Sequence, residues 1–273
     1  MPVLVGTSGW QYRDWRGLLY PAGLPQHEWL AHYASQYATV ENNSTFYRLP
    51  ARDTFADWQA RTPGDFVMAL KASRYLTHVK RLRDPEEPVA HLMTAASGLG
   101  SRLGPVLLQL PPNLPADPPR LAACLAEFAR FHRPGPADGS VQVVVEPRHA
   151  SWWTDEVRQV LIGHGAALCW ADQLGRPVTP LWRTAGWGYL RFHQGAASPW
   201  PRYGQQALRS WQVRITDAWP DGAPVYVYFN NDPGGAALAD SAAFAALCRR
   251  AGRSVTRTPI TRTPITRTRA SPG

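Results

Sequence analysis

The stretch that organises this sequence reads Val225-Tyr226-Val227-Tyr228-Phe229-Asn230-Asn231-Asp232. It is an apolar and aromatic run of strand length that ends abruptly in two amides and a carboxylate, just before Pro233 and two glycines. Burying the apolar side chains stabilises a strand, whereas burying an unpartnered Asn or Asp costs about 1–3 kcal/mol. We therefore predict a buried strand whose C-terminal end opens on solvent or on a site.

Apolar runs that end in polar groups recur along the chain. Strand-length runs of this kind lie at residues 3–5, 39–43, 66–70, 106–110, 141–145, 167–171, 189–193 and 225–229. Helical patterns fill most of the gaps, and this alternation indicates βαβ units around a parallel sheet. Eight such units in about 250 residues are typical of a TIM-type (β/α)8 barrel. A doubly wound open sheet is the alternative, but no GxGxxG follows the first strand, so we predict no nucleotide cofactor.

The charge of the chain is concentrated at its C-terminal end. The net charge is +9, but residues 249–273 hold seven of the 29 basic side chains and none of the 20 acidic ones, which leaves +2 for residues 1–248. We predict a single barrel domain over residues 1–252 and a disordered, low-complexity tail over 253–273, where Thr-Arg-Thr-Pro-Ile is repeated. The nearly neutral body makes nucleic acid a less favoured partner than a small molecule.

The cysteines and the apolar runs predict a cytoplasmic protein. Cys124, Cys169 and Cys248 are odd in number and show neither disulfide nor metal-ligand spacing. No apolar run approaches the roughly 20 residues that span a bilayer, so no membrane is expected. The segment 1–6 lacks the basic and apolar parts of a secretory signal. The oligomeric state is left open.

Active sites of barrels lie at the C-terminal ends of the strands, and every predicted strand brings a polar residue there. The candidate catalytic residues are Glu41, Glu146, Asp172 and His193. The candidate ligand-binding residues are Thr7, Ser8, Trp10, Asn43, Lys71, Gln109, Arg148, Arg191, Asn230 and Asn231. Carboxylates and an imidazole transfer protons, while lysine and arginine hold anions. We expect acid–base chemistry on a small anionic or polyhydroxylated ligand, in a reaction class that the sequence does not define.

Other functions compete with this hypothesis. Glu41, Glu146, Asp172 and His193 offer oxygen and imidazole ligands for a divalent metal, although each comes from a different strand. The same side chains would also suit a structural network of ion pairs, in a non-catalytic binding or scaffold protein. A third alternative is a nucleic-acid-binding or phosphodiester-processing barrel that uses arginines, tryptophans and the basic tail.

Several segments together resemble those of the YecE-like family, domain of unknown function 72. The segments are Gly6-Thr7-Ser8-Gly9-Trp10, Tyr20-Pro21, Glu41-Asn42-Asn43-Ser44-Thr45-Phe46-Tyr47, Lys71-Ala72-Ser73, Leu103-Gly104-Pro105, Gln109-Leu110-Pro111-Pro112, Glu146-Pro147-Arg148-His149, Arg191-Phe192-His193 and Tyr228-Phe229-Asn230-Asn231-Asp232. The resemblance covers about residues 3–248 and implies a TIM-type barrel. It implies no particular reaction, and Asn42, Pro147 and Gln194 depart from the family's usual residues.

Overall fold

The computed structural model describes residues 2–133, 139–220 and 222–257. The strands are β1 (Val3–Thr7), β2 (Thr39–Asn42), β3 (Val67–Lys71), β4 (Leu103–Gln109), β5 (His132–Arg133), β6 (Gly139–Ser140), β7 (Val143–Glu146), β8 (Ala167–Leu168), β9 (Trp170–Gln173), β10 (Arg176–Pro177), β11 (Gly188–Phe192) and β12 (Val225–Phe229). The α-helices are α1 (Trp29–Gln36), α2 (Ser44–Tyr47), α3 (Arg52–Ala60), α4 (Glu86–Ala96), α5 (Pro118–Ala129), α6 (Asp155–Gly163), α7 (Gln205–Ala218) and α8 (Ala236–Arg250). The fold is therefore an α/β fold, as the alternating pattern predicts.

The principal strands pair in parallel in two five-stranded sheets. The first has the order β1-β12-β11-β9-β10 and the second has the order β2-β3-β4-β7-β8. Antiparallel pairs within the described residues are β9 with β10 and β5 with β6. Within each sheet, the carboxyl ends of the parallel strands consequently lie at the same end.

Two junctions link these sheets. A parallel bridge joins Ser8 after β1 to Glu41 in β2, and the Gly9 amide donates to the Glu41 carbonyl at 2.8 Å. At the other edge, β8 pairs with β7 and β9 pairs with β11, while the intervening Cys169 donates its amide to the Val145 carbonyl at 2.8 Å. Residues 167–173 therefore bond to the second sheet through β8 and to the first sheet through β9.

Alternate residues of the strands enter two different buried clusters. The larger lies between strands and helices and contains Val143, Val145, Leu190 and Phe192. The smaller takes their neighbours from the opposite strand faces, and its members are Leu4, Ala38, Ala69, Leu107, Val144, Ala167, Cys169, Trp187, Tyr189, Tyr226 and Tyr228. Because side chains alternate along a strand, Glu41, Lys71, Glu146 and Arg191 share the face of the smaller cluster.

Local hydrogen bonds set several element boundaries. Residues 75–79 form a π-helical turn, and Ser73 Oγ before it accepts from the Leu76 amide at 3.2 Å. Helix α6 begins at Asp155, because Thr154 Oγ1 accepts from the Val157 amide and caps the helix. The sixth strand extends to Gln173, because β10 pairs with its end. Asp172 therefore lies within a strand and not after one.

The segment on the tail side of the predicted boundary at residue 252 contacts the body as far as it is described. The Val3 amide donates to the Ser254 carbonyl at 2.8 Å. Arg253 donates to the Trp219 carbonyl at 2.6 Å, and Arg257 forms an ion pair with Asp65 at 2.7 Å. The rest of the predicted tail, 258–273, lies outside the described residues.

None of the helices within the described ranges combines the length and apolar character needed to cross a lipid bilayer.

Candidate functional site

A buried arginine joins two buried carboxylates at the carboxyl ends of three strands. Arg191 of β11 donates from Nη1 to Glu146 Oε2 at 2.6 Å and from Nη2 to Glu41 Oε1 at 2.9 Å. Glu41 is 0% exposed, Glu146 1% and Arg191 2%. We call this end of the parallel strands the mouth, and the linked side chains described in this and the next two paragraphs the mouth network.

Two further residues donate hydrogen bonds to Glu41. Ser8 Oγ donates to Glu41 Oε1 at 2.8 Å, and the Tyr189 hydroxyl donates to Oε2 at 2.6 Å. Burial alone would raise the pKa of Glu41, but the charge of Arg191 and these hydrogen bonds outweigh burial and hold the pKa below its ordinary value. Glu41 is therefore an ionised side chain whose oxygens are occupied by protein donors.

Glu146 connects the buried arginine to a histidine nearer the surface. Its Oε1 lies 2.8 Å from His193 Nε2 and 3.3 Å from Arg148 Nη2. Burial raises the pKa of Glu146, but the charge of Arg191 and the contact with His193 outweigh burial, so the net shift is downward. Because an ionised carboxylate only accepts hydrogen bonds, His193 Nε2 carries the proton between them. Asn230 Nδ2 lies 3.4 Å from the other ring nitrogen, Nδ1.

A cavity of about 620 Å³ opens above this part of the network. Glu146, Arg148, His193 and Asn230 line it, together with apolar and polar groups of the surrounding loops such as Trp153. The size lies within the roughly 300–1,000 Å³ of small-molecule sites. The cavity thus combines an aromatic wall with a positive guanidinium, an imidazole and an amide.

Asp172 borders the same cavity, but its oxygens are used elsewhere. The Tyr203 hydroxyl and the Gly175 amide donate to Oδ1, and Trp211 Nε1 donates to Oδ2 at 2.8 Å. Burial raises the pKa of Asp172 although these hydrogen bonds oppose the rise. The carboxylate therefore links helix α7 and the loop before it to β9.

Thr7 and Asn231 form their hydrogen bonds outside the mouth network, whereas Gln109 lies on the strand face of Glu146. Thr7 Oγ1 donates to the Gly9 carbonyl at 2.7 Å and contacts the Tyr33 hydroxyl. Asn231 donates to the Pro201 carbonyl and to Asp240 Oδ2, at 2.9 and 2.8 Å. Gln109 is 8% exposed and pairs in register with Glu146 on the neighbouring strand. Neither Thr7 nor Asn231 lines the cavity of about 620 Å³.

A second, smaller cavity of about 190 Å³ lies beside the ends of β1 and β2. Trp10 and Asn43, two predicted ligand-binding residues, line it with Tyr12. Asn43 Oδ1 is buried without a hydrogen-bond partner among the described residues. Asn42 also borders this cavity, and its Oδ1 accepts from the Ser44 amide at 2.8 Å. The Asn42 side chain therefore lies at the start of α2, on the strand face opposite that of Glu41.

Lys71 ends strand β3 on the same strand face as Glu41 and Arg191. Its Nζ lies 4.2 Å from the centre of the Phe46 ring, a cation–π contact. Burial and the charge of Arg191 lower the pKa of Lys71 to about 8, against the opposing effect of Glu41 and Glu146. Among the predicted anion-binding residues, Lys71 is thus the one that loses its positive charge most readily.

Sequence reasoning did not identify several residues that support the site. Tyr189 stands two residues before Arg191, so strand alternation alone places it on the same face. Tyr203 and Trp211 lie 31 and 39 residues from Asp172, and no local pattern links them to it. Asp232, by contrast, ends the organising stretch quoted from the sequence, and its buried Oδ1 has no partner among the described residues.

The donor set does not fit the metal site considered from the sequence. The guanidinium of Arg191 occupies the position between Glu41 and Glu146 where a cation would bind, and Asp172 is held by Tyr203 and Trp211. Within residues 2–133, 139–220 and 222–257, no group of three or more His, Cys, Asp and Glu side chains is arranged to hold a metal ion.

Fold and site together define an α/β protein whose parallel strands end in a buried carboxylate–arginine network below a polar cavity. The chain belongs to the family described as "Protein of unknown function DUF72", whose model matches residues 4–264. This confirms the family resemblance seen in the sequence.

Named relatives carry no more specific description. The UPF0759 protein YunF of Bacillus subtilis (strain 168) is 25% identical over 264 residues, which cover 85% of this chain and 90% of YunF. The UPF0759 protein YecE of Escherichia coli O157:H7 is 26% identical over 180 residues, or 64% of this chain. That match spans 60% of the length of YecE.

Two solved structures share the fold. A DUF72 family protein from Thermotoga maritima MSB8 superimposes with a TM-score of 0.75 at 25% identity, covering 93% of this chain and 100% of that one. A DUF72 family protein from Enterococcus faecalis V583 gives a TM-score of 0.74 at 18% identity, over 90% and 95% of the two chains.

Proposed function

We propose that the chain is a closed (β/α)8 barrel and an enzyme that transfers protons on a small anionic or polyhydroxylated ligand at the mouth. The two junctions between the sheets support closure, because residues 167–173 pair with β7 and β11 while Ser8 meets Glu41. Three buried, unpaired cysteines fit the reducing cytoplasm as its compartment.

The observation that carries the proposed activity is the Glu146–His193 pair beside the cavity of about 620 Å³. A histidine held by an ionised carboxylate has a defined tautomer, and the carboxylate stabilises the imidazolium that forms when the ring takes a proton. The His193 side chain is 19% exposed, whereas Glu146 is 1% exposed. A ligand in the cavity therefore reaches the imidazole before the carboxylate.

The roles that we propose are narrower than those considered from the sequence. His193 is the proton carrier through Nδ1, Glu146 orients it through Nε2, and the ligand replaces the long 3.4 Å contact of Asn230 Nδ2 with Nδ1. Glu41, a candidate acid or base from the sequence, instead neutralises and positions Arg191. Arg148, whose side chain is 40% exposed, binds the anionic or hydroxyl group of the ligand.

The test is a screen of carboxylates, phosphates and sugars by thermal shift, followed by calorimetry of each hit on matched variants. His193→Asn and Arg148→Met should each weaken binding at least about tenfold, because each removes a charged or directional hydrogen bond. His164→Asn and Arg209→Met replace exposed residues of the same types and should bind like the unaltered protein.

A hit with unchanged affinity in both mouth variants would contradict the assigned pocket. Glu146→Gln provides the second arm, because it keeps the shape of the side chain and removes the charge that stabilises the imidazolium. If it alters only the free energy of unfolding and leaves ligand affinity and turnover intact, the network is structural.

A further inference from the structure

Lysine is unusually scarce in this chain. Of the 29 basic side chains, only Lys71 and Lys80 are lysines, and all the others are arginines. An arginine remains charged at any physiological pH, whereas a lysine amine becomes neutral and nucleophilic when its environment lowers its pKa. A lysine at the mouth therefore offers chemistry that the surrounding arginines cannot provide.

The two lysines have contrasting environments. Lys80 forms an ion pair with Asp84 at 3.2 Å, which raises the Lys80 pKa. No hydrogen bond or ion pair to Lys71 Nζ is formed within the described ranges, and its neighbour is the face of the Phe46 ring. The Lys71 carbonyl accepts from Thr45 Oγ1 at 2.7 Å, so the backbone below the amine is held in place.

The charges around Lys71 also favour the neutral amine. Burial is the largest effect, and Arg191 and Arg148 add to it, so the Lys71 pKa falls to about 8 despite Glu41 and Glu146. At pH 7 roughly a tenth of such amines are neutral, against well under about 0.1% for a lysine of ordinary pKa.

We propose that Lys71 is a nucleophilic amine that forms an imine with the carbonyl carbon of a small aldehyde or ketone at the mouth. This inference deepens the proposed acid–base function and rests on it, because it names carbonyl compounds as the substrate class.

The step is balanced without any oxidant or reductant. The lone pair of neutral Lys71 attacks the carbonyl carbon, the C=O π pair moves to oxygen, and a proton shifts from nitrogen to that oxygen to give a carbinolamine. The nitrogen lone pair then forms C=N as the C–O bond breaks, and one added proton lets the oxygen leave as water. Solvent supplies that proton, and hydrolysis reverses the sequence.

The experiment is reductive trapping of the full chain with glyoxylate and sodium cyanoborohydride at pH 7, with peptide mass spectrometry of both lysines. Glyoxylate is a small anionic aldehyde that suits the arginines of the mouth. We expect Lys71 to be labelled at least about tenfold faster than Lys80, given the difference in neutral amine. The urea-unfolded chain, in which both lysines are free, supplies the reference rate for each peptide.

Equal labelling of the two lysines in the folded chain, or labelling of Lys80 alone, would overturn the inference. Lys71→Met should lose the mouth label and Lys80→Met should keep it. His193→Asn separates the two proposals, because it should weaken ligand binding in the cavity and leave the selective label on Lys71. Selective trapping at Lys71 together with unchanged ligand binding in this variant supports the imine and contradicts the role of His193. Absence of the Lys71 label with His193-dependent ligand binding contradicts the imine alone.

Discussion

Individual side chains of the mouth differ in how freely they change charge. Arg191 is buried and paired with both Glu41 and Glu146, so the arginine and each carboxylate stabilise one another's ionised forms. Breaking such a buried arrangement by removing one partner typically costs about 3–5 kcal/mol. Asp232 is a half-buried carboxyl that takes no part in these ion pairs.

We predict that replacing Asp232 by asparagine stabilises the protein at pH 8 but not at pH 4. Burial raises the Asp232 pKa to about 7, with Asp14 and Glu41 adding to the rise and Tyr12 opposing it. The folded state therefore holds a proton that the unfolded state loses above about pH 4, so stability falls as the pH rises from about 4 to 7. We expect a gain of the order of 1–3 kcal/mol above pH 7, fading toward pH 4.

Urea unfolding at several pH values measures this difference. Asp217→Asn, at an exposed aspartate, is the matched control and should track the unaltered protein at every pH. A pH-independent effect of Asp232→Asn would show that Asp232 is ionised throughout the range.

Gly6 of strand β1 allows strand β2 to lie unusually close to it. A Cβ placed on Gly6 would lie 2.3 Å from the Thr39 carbonyl oxygen of β2, far below van der Waals contact. The absence of a side chain there lets β1 and β2 come together just before the Ser8–Glu41 bridge, where the two sheets meet.

Gly6→Ala should therefore destabilise the fold, by about 1–3 kcal/mol or more, because the clash is with backbone that cannot turn aside. Gly23→Ala is the control, since a Cβ there meets nothing within 4 Å, and it should stay close to the unaltered protein. Chemical denaturation gives both values. Equal stability of the two variants would mean that β1 and β2 are not held this closely.

The sequence predicts elements better than it predicts the partners of their side chains. Tyr189, Arg191 and His193 share a strand face by simple alternation, so their position at one end of the sheet follows from local pattern. The Glu41–Tyr189 hydrogen bond joins residues 148 positions apart, so it depends on the tertiary fold and not on local sequence. The same is true of Asp172, whose polar position in a strand predicts a site but whose donors come from α7 and the loop before it.

At the scale of the whole molecule, distant parts of the chain converge on one end of the strands. Ser8, Glu41, Glu146, Arg191, His193 and Asn230 form a continuous series of contacts there. At the opposite, amino-terminal end, Val3 bonds to Ser254, so the segment after α8 closes against the first strand. Arg253 and Arg257, the described basic residues of this segment, thereby lie away from the mouth.

The most direct measurement of the central claim is a crystal structure of the chain with a ligand from the carboxylate, phosphate and sugar screen. We predict that the ligand occupies the cavity of about 620 Å³, with one polar atom in hydrogen-bond distance of His193 Nδ1 and another in hydrogen-bond distance of Arg148. A ligand seated elsewhere, with the Glu146–His193 pair untouched, would contradict the account.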